Sequence, residues 1–162
     1  GNKAAPGTVG QLVIRGATVM KGYWEKPEST AKKLKPGPLP GEQVLYTGDY
    51  CRMDEEGYLY FVGRMDDIIK SRGEKVAPKE VENMLMNIPG VKEAAVIGVP
   101  DEILGQAVKA FVVLEEGVTM NEKQLQKECQ SRLENFMVPK YIVAVPGLPK
   151  TDTGKIKKTG LS

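Results

Sequence analysis

Gly63-Arg64-Met65-Asp66-Asp67-Ile68-Ile69-Lys70-Ser71-Arg72-Gly73-Glu74-Lys75-Val76-Ala77-Pro78-Lys79-Glu80-Val81-Glu82 is where the pattern of the chain changes. Upstream, apolar residues alternate or fall in short runs between glycines and prolines, as strands and turns do. Within the stretch, Ile68 and Ile69 form a short strand that Gly73 breaks. Pro78 then opens a helix, at a position where no N–H is needed. Val81, Met84, Leu85 and Ile88 recur at helical spacing, so this helix buries one face. Pro89-Gly90 ends it. We place a domain boundary at Asp66, dividing the chain into residues 1–65 and 66–162.

Before the boundary, Gln11 to Arg15 alternate and stop at Gly16, and Ala17 to Met20 read as a second short strand. A short helix follows Pro27 and extends towards Leu34. Lys35 to Gly41 holds three prolines and two glycines and reads as a loop. Val44 to Tyr46 is a strand that ends at Thr47-Gly48-Asp49. Tyr50 to Met53 and Tyr58 to Val62 flank a turn in which Gly57 suits positive φ, a hairpin signal. After the boundary, Val91 to Val99 and Ala107 to Leu114 read as strands. Thr119 and Glu122 match a capping box for a second helix with Leu125, Cys129 and Leu133 on one face. Ile142 to Val145 is a last strand before a basic tail. The second part is therefore a small α+β domain of about 95 residues with helices covering one sheet face.

Composition narrows the chemistry. Hydrophobic residues make up 41% of the 162 and charged residues 27%, which argues for a packed chain rather than a disordered one. No apolar run approaches the roughly 20 residues of a membrane span. The net charge is +2 with both signs interspersed, so no nucleic-acid-binding stripe is present. Two well-separated cysteines, Cys51 and Cys129, favour free thiols and a cytoplasmic setting over a disulfide framework. The absence of histidine removes His-based acid–base and nucleophilic catalysis and most zinc sites. Any chemistry here rests on Lys, Arg, Asp or backbone groups.

Three stretches carry such groups: Tyr46-Thr47-Gly48-Asp49, the boundary stretch quoted above, and Leu148-Pro149-Lys150-Thr151-Asp152-Thr153-Gly154-Lys155-Ile156. Together with Gly22-Tyr23-Trp24 and Pro27-Glu28-Ser29-Thr30, in this order and spacing, they resemble the motifs of the adenylate-forming superfamily: acyl-CoA synthetases, peptide adenylation domains and beetle luciferases. The resemblance runs from about Gly7 to Thr159. It implies an α+β arrangement in which the β-rich, barrel-like end of a large amino-terminal domain precedes a small α+β lid with helices on a mixed sheet. It also implies an AMP-forming ligase that adenylates a carboxylic acid with ATP and Mg2+ and transfers the acyl group to coenzyme A.

The resemblance attaches roles to residues. A carboxylate at a strand end can accept hydrogen bonds from ribose hydroxyls, and by resemblance Asp49 has that role, against a turn Asp that caps its own backbone. Arg64 offers a planar fork to ribose or phosphate oxygens, against an ordinary surface ion pair. Asp66 stands where the family pivots its small domain between two half-reactions. Gly73 matches the glycine beside the pantetheine arm of CoA, against a simple turn glycine. Arg72 and Lys75 are nearby cations for CoA, Lys75 standing where many relatives carry Arg. Lys155 matches the lysine that bridges the carboxylate and the α-phosphate during adenylation. Lys150, Lys157 and Lys158 read as solvated, and the apolar helix faces as core.

The motifs of the large amino-terminal domain, including its phosphate loop and Mg-binding carboxylate, are not found. The expectation is thus a carboxy-terminal fragment, inactive alone, whose barrel edges invite self-association. Expected partners are ATP and AMP, CoA and a carboxylic acid, with no metal ligands in this part. Two readings compete with the CoA ligase: delivery of the acyl group to a carrier-protein phosphopantetheine, and a non-catalytic binding module.

Overall fold

A computed structural model describes residues 3–161. The chain divides into two compact units, Gly1–Asp66 and Asp67–Ser162.

The first unit is a four-stranded antiparallel sheet. Strand β1 (Val9–Ile14) and helix α1 (Pro27–Lys33) are followed by β2 (Leu34–Pro36), β3 (Gln43–Met53) and β4 (Leu59–Arg64). The long β3 pairs with all three other strands. Pro27 opens α1 and Pro36 ends β2, both places where a missing N–H is tolerated.

Three expectations fail here. Ala17 to Met20 is a turn, with the Val19 amide bonded to the Gly16 carbonyl, because β1 pairs only with β3 and no strand lies beside these residues. Lys35 and Pro36 belong to β2 rather than to a loop, since they pair with Val44 and Gln43. Strand β3 does not stop at Thr47 but runs through it. The register against β1 slips between Gln11 and Val13, and Gly48 absorbs the irregularity with φ +82°.

The second unit holds β5 (Ile69–Ser71), β6 (Glu74–Val76), α2 (Pro78–Met86), β7 (Val91–Asp101), β8 (Gly105–Leu114), α3 (Glu122–Arg132) and β9 (Tyr141–Ala144). The five-stranded sheet is mainly antiparallel, with order β6-β5-β8-β7, and β9 joins β8 in parallel. Strand β8 is central and apolar on both faces. Val108, Ala110 and Val112 face α2 and α3, in one core with Val81, Leu85, Leu125 and Cys129. Phe111 and Val113 face the other way, where they meet Leu148, Ile156 and Leu161 of the tail. Helices do cover only one face, as expected. The tail forms a thin layer on the other, and burying Leu148 contributes about 1.5–3 kcal/mol.

Two smaller expectations shift. Strand β6 was not foreseen; it forms because Arg72 and Gly73 both take positive φ and close a two-residue hairpin. The capping box of α3 is Asn121 with Gln124, each side chain accepting from the other's amide at 2.9 Å. The same spacing occurs at Thr119 and Glu122, and the later copy captures the helix start. Among the described residues no helix is long and apolar enough to cross a membrane.

Among the described residues, buried apolar side chains concentrate in the second unit, and the first contributes only Leu34 and Val44. In the first unit Val9, Val13, Tyr58, Leu59, Tyr60 and Phe61 are all exposed.

Two measurements check these features. Both cysteines are free, and burial pushes the Cys129 thiol up to about 11. At pH 8 a thiol reagent should therefore leave Cys129 unmodified until denaturant is added, because the thiolate is the reactive form. Gly48→Ala should cost about 1–2 kcal/mol through its left-handed backbone alone, seen as a lower urea midpoint by circular dichroism.

Candidate functional site

The Thr47-Gly48-Asp49 irregularity is built by its own side chains. The Thr47 hydroxyl donates to the Leu12 carbonyl at 2.9 Å and accepts from the Asp49 amide at 3.0 Å, tying β3 to β1 across the slip in register. A Cβ at Gly48 would lie 2.8 Å from the Lys33 Nζ, which itself donates to the Thr47 carbonyl at 3.3 Å. Asp49 and Arg64 are cross-strand partners on β3 and β4. Arg64 Nη1 donates to Asp49 Oδ1 at 2.7 Å, with the Arg side chain 44% and the Asp side chain 24% exposed. So exposed a pair adds at most about 1 kcal/mol to stability. Its consequence is orientation, since a fork at the end of β4 and a carboxylate within β3 stand side by side, so Asp49 is not at the strand end that the sequence suggests. No protein donor reaches Asp49 Oδ2 among the described residues. Nearby, burial and then the Asp49 charge raise the Cys51 thiol above its ordinary value, which disfavours its reactive thiolate form.

Asp66 and Asp67 are exposed and lie in the turn where the two units meet in sequence. The sequence reading opens the second domain at Asp66, while the structural division falls directly after it.

Arg72 and Gly73 form the tip of the β5–β6 hairpin. Arg72 adopts φ +55°, costly for a residue with a Cβ, and its amide donates to the Leu104 carbonyl at 3.0 Å. Gly73 has φ +82°, and nothing lies within 4 Å of where its Cβ would stand. Glycine is therefore demanded by the turn, and the space above it is open. Lys75 is exposed and pairs in register with Lys70, so two cations sit side by side below the tip. Arg72 also borders a depression shared with Ile103, Phe136 and Lys140.

The tail around Lys155 is a closed turn rather than a free end. The Thr151 amide donates to the Lys155 carbonyl and the Gly154 amide to the Thr151 carbonyl, both at 2.8 Å. The Lys155 amide donates to the Thr151 hydroxyl at 3.2 Å, and Lys150 bridges Ile156. Two of the lysines read as solvated also make ion pairs. Lys150 pairs with Glu93 at 2.6 Å and Lys158 with Glu82 at 2.6 Å. Among the described residues Lys155 makes no ion pair, and it is exposed. Sequence reasoning missed Glu82 and Lys33. The only available signal for Glu82 was a carboxylate next to Val81 on the apolar side of α2; for Lys33 there was none, because its role depends on α1 meeting β3. Among the described residues no three His, Cys, Asp or Glu side chains gather as a metal cage.

Comparison with known proteins bears on what this arrangement serves. Residues 80–155 match the family model described as the AMP-binding enzyme C-terminal domain. The chain is 43% identical over 161 residues to a long-chain-fatty-acid–CoA ligase of Bacillus subtilis, covering 99% of this chain and 28% of the relative. It is 40% identical over 161 residues to a 2-succinylbenzoate–CoA ligase of Geobacillus kaustophilus, covering 99% of this chain and 32% of that protein. Among solved structures it resembles ATP-bound MatB from Rhodopseudomonas palustris, with a TM-score of 0.87 and 36% identity over 98% of this chain and 30% of that one. The chain thus spans about a third or less of the length of these relatives. Family match, relatives and fold agree with the motif reading: the chain belongs to the AMP-binding, adenylate-forming enzymes and corresponds to the carboxy-terminal portion of their acyl-CoA ligases.

Proposed function

We propose that this chain is the nucleotide-closing and CoA-receiving part of an AMP-forming acyl-CoA synthetase, and that it turns over no substrate alone. The observation that carries the reading is the state of the tail lysines. Lys150 and Lys158 pair with carboxylates, while Lys155, on the closed turn between them, and Lys157 make no ion pair among the described residues, and of these two only Lys155 stands at the motif position. A cation held ready in this way suits a reaction between two anions.

In the first half-reaction a carboxylate oxygen attacks the α-phosphorus of ATP, the bond to the β-phosphate oxygen breaks, and acyl-adenylate and pyrophosphate form. Lys155 bridges the carboxylate and the α-phosphate and stabilises charge developing there. Asp49 accepts from the ribose hydroxyls through Oδ2, and Arg64, already aligned by Oδ1, contacts ribose or phosphate. Mg2+ arrives with the nucleotide as its counter-ion, and no residue of this chain is given to it.

In the second half-reaction the small domain, residues 66–162, turns about Asp66. The open space over Gly73 receives the pantetheine arm, and Arg72 and Lys75 draw the CoA phosphates. The thiol sulfur attacks the acyl carbonyl, AMP leaves, and the thiol proton passes to solvent. Residues 1–65 are the closing, barrel-like part of the large domain. Their exposed Tyr58 to Phe61 and their sparse core support docking against the rest of that domain, and self-association where it is absent. Relatives named for a fatty acid and for 2-succinylbenzoate match this chain almost equally, so the acid is chosen outside it.

In the full-length ligase, AMP release with a panel of carboxylic acids should require both an acid and CoA. Acid-dependent pyrophosphate exchange without CoA turnover would move the acceptor to a carrier protein. Lys155→Ala should slow adenylation by about 100-fold or more while sparing thioester formation from supplied acyl-adenylate. Asp66→Pro should trap one conformation and so lose one half-reaction; unchanged rates for both would remove its hinge role.

A further inference from the structure

Glu82 ends the boundary motif, and the function described so far gives it no task. It lies on α2, only 6% exposed, which is unusual for a carboxylate. Its Oε1 accepts from the Val96 amide at 3.0 Å and meets the Lys158 ammonium at 2.6 Å. Its Oε2 faces Lys79 at 3.9 Å. Val96 is on β7, an edge strand, so this amide has no strand partner on its outer side. One buried oxygen therefore joins a helix, a sheet edge and the tail.

The tail contact is the informative one. Lys158 is three residues beyond Lys155. Five residues before Lys155, Lys150 is held by Glu93 on β7. Between the two anchors the segment closes on itself, with the Lys157 amide bonded to the Pro149 carbonyl at 2.7 Å and Ile156 packed on the sheet face of Phe111. Had Glu82 served only to satisfy the strand edge, a neutral acceptor would suffice. A buried charge without a cation is strongly unfavourable, so the carboxylate and Lys158 hold one another in place.

We propose that Glu82, through Lys158, is a positioning residue for the Lys155 turn and thereby for the adenylation half-reaction. This rests on the reading of Lys155 given above. The Glu82–Lys158 pair acts as a unit that fixes where the Lys155 ammonium is presented, and it touches neither substrate. A misplacement of about 1 Å in such a group can slow a reaction by about 100-fold. The second half-reaction does not use Lys155 and so does not depend on the pair.

The test measures the two half-reactions separately in the full-length ligase: acid-dependent pyrophosphate exchange, and thioester formation from supplied acyl-adenylate. The variants are Glu82→Gln, Lys158→Met, their combination, Lys158→Arg and Lys155→Ala. Glu82→Gln keeps an oxygen for the Val96 amide and removes only the charge, and thermal unfolding verifies that each variant is folded. The expected result is a loss of about 10- to 100-fold in adenylation kcat for each single variant, with ATP KM and thioester formation little changed. The double variant should be no slower than the worse single one, as for residues that act together, and Lys158→Arg should restore most of the rate. Unchanged adenylation in the folded Glu82→Gln and Lys158→Met variants overturns the proposal, as does equal loss of both half-reactions, which is the mark of a purely structural role. If Lys155→Ala itself spares adenylation, the underlying reading falls and the anchor with it. If Lys155→Ala is selective and the Glu82 and Lys158 variants are not, only the anchor falls.

Discussion

Strand β8 buries apolar side chains on both faces, and much of the second unit follows from that. Side chains alternate along a strand, so Val108, Ala110 and Val112 need cover on one side and Phe111 and Val113 on the other. Two helices fill the first side. Among the described residues this unit has no third helix, and the tail supplies the second side with Leu148, Ile156 and Leu161. A segment that looks like a basic, polar end is thereby drawn onto the domain by three apolar residues. The lysines follow the apolar residues, and two of them pair with Glu93 and Glu82.

The same alternation explains what could be read in advance. Elements with a period of their own were legible: Val81 and Leu85 marked α2, and the runs through Ala94 to Ile97 and Ala107 to Leu114 marked the two longest strands of the second unit. Features that depend on a distant partner were not. Ala17 to Met20 has strand-like residues but no neighbour to pair with. Lys35 and Pro36 look like loop but find Val44 and Gln43 beside them. Lys158 looked solvated because Glu82 is remote in sequence. The candidate site divides in the same way. Asp49, Arg64, Gly73 and Lys155 were picked out as motif positions, but the Oδ1 contact, the turn at Arg72 and the closure at Thr151 are tertiary facts that no local pattern encodes.

The two units handle apolar surface differently. The second encloses a core on both faces of its sheet, whereas the first leaves Tyr58, Leu59, Tyr60 and Phe61 open and, among the described residues, buries only the apolar side chains of Leu34 and Val44. A four-stranded sheet with so little enclosed surface gains little from hydrophobic burial. What order it has comes from the β3 ladder and from side-chain ties such as Thr47 to Leu12 and Arg15 to Glu42. The Asp49–Arg64 pair is thus mounted on the less self-sufficient of the two units.

The closure around Thr151 also has a temporal consequence. Surface loops on short tethers move in nanoseconds to microseconds, and whole domains in microseconds to milliseconds. The Lys155 turn is tied through its own backbone, through Ile156 and Leu161 on the sheet, and through Lys150 and Lys158 at its two ends. It has little slack with which to travel by itself. On the proposed function, its ammonium reaches a partner outside the unit by movement of the unit as a body, and the clock for that encounter is the slow one.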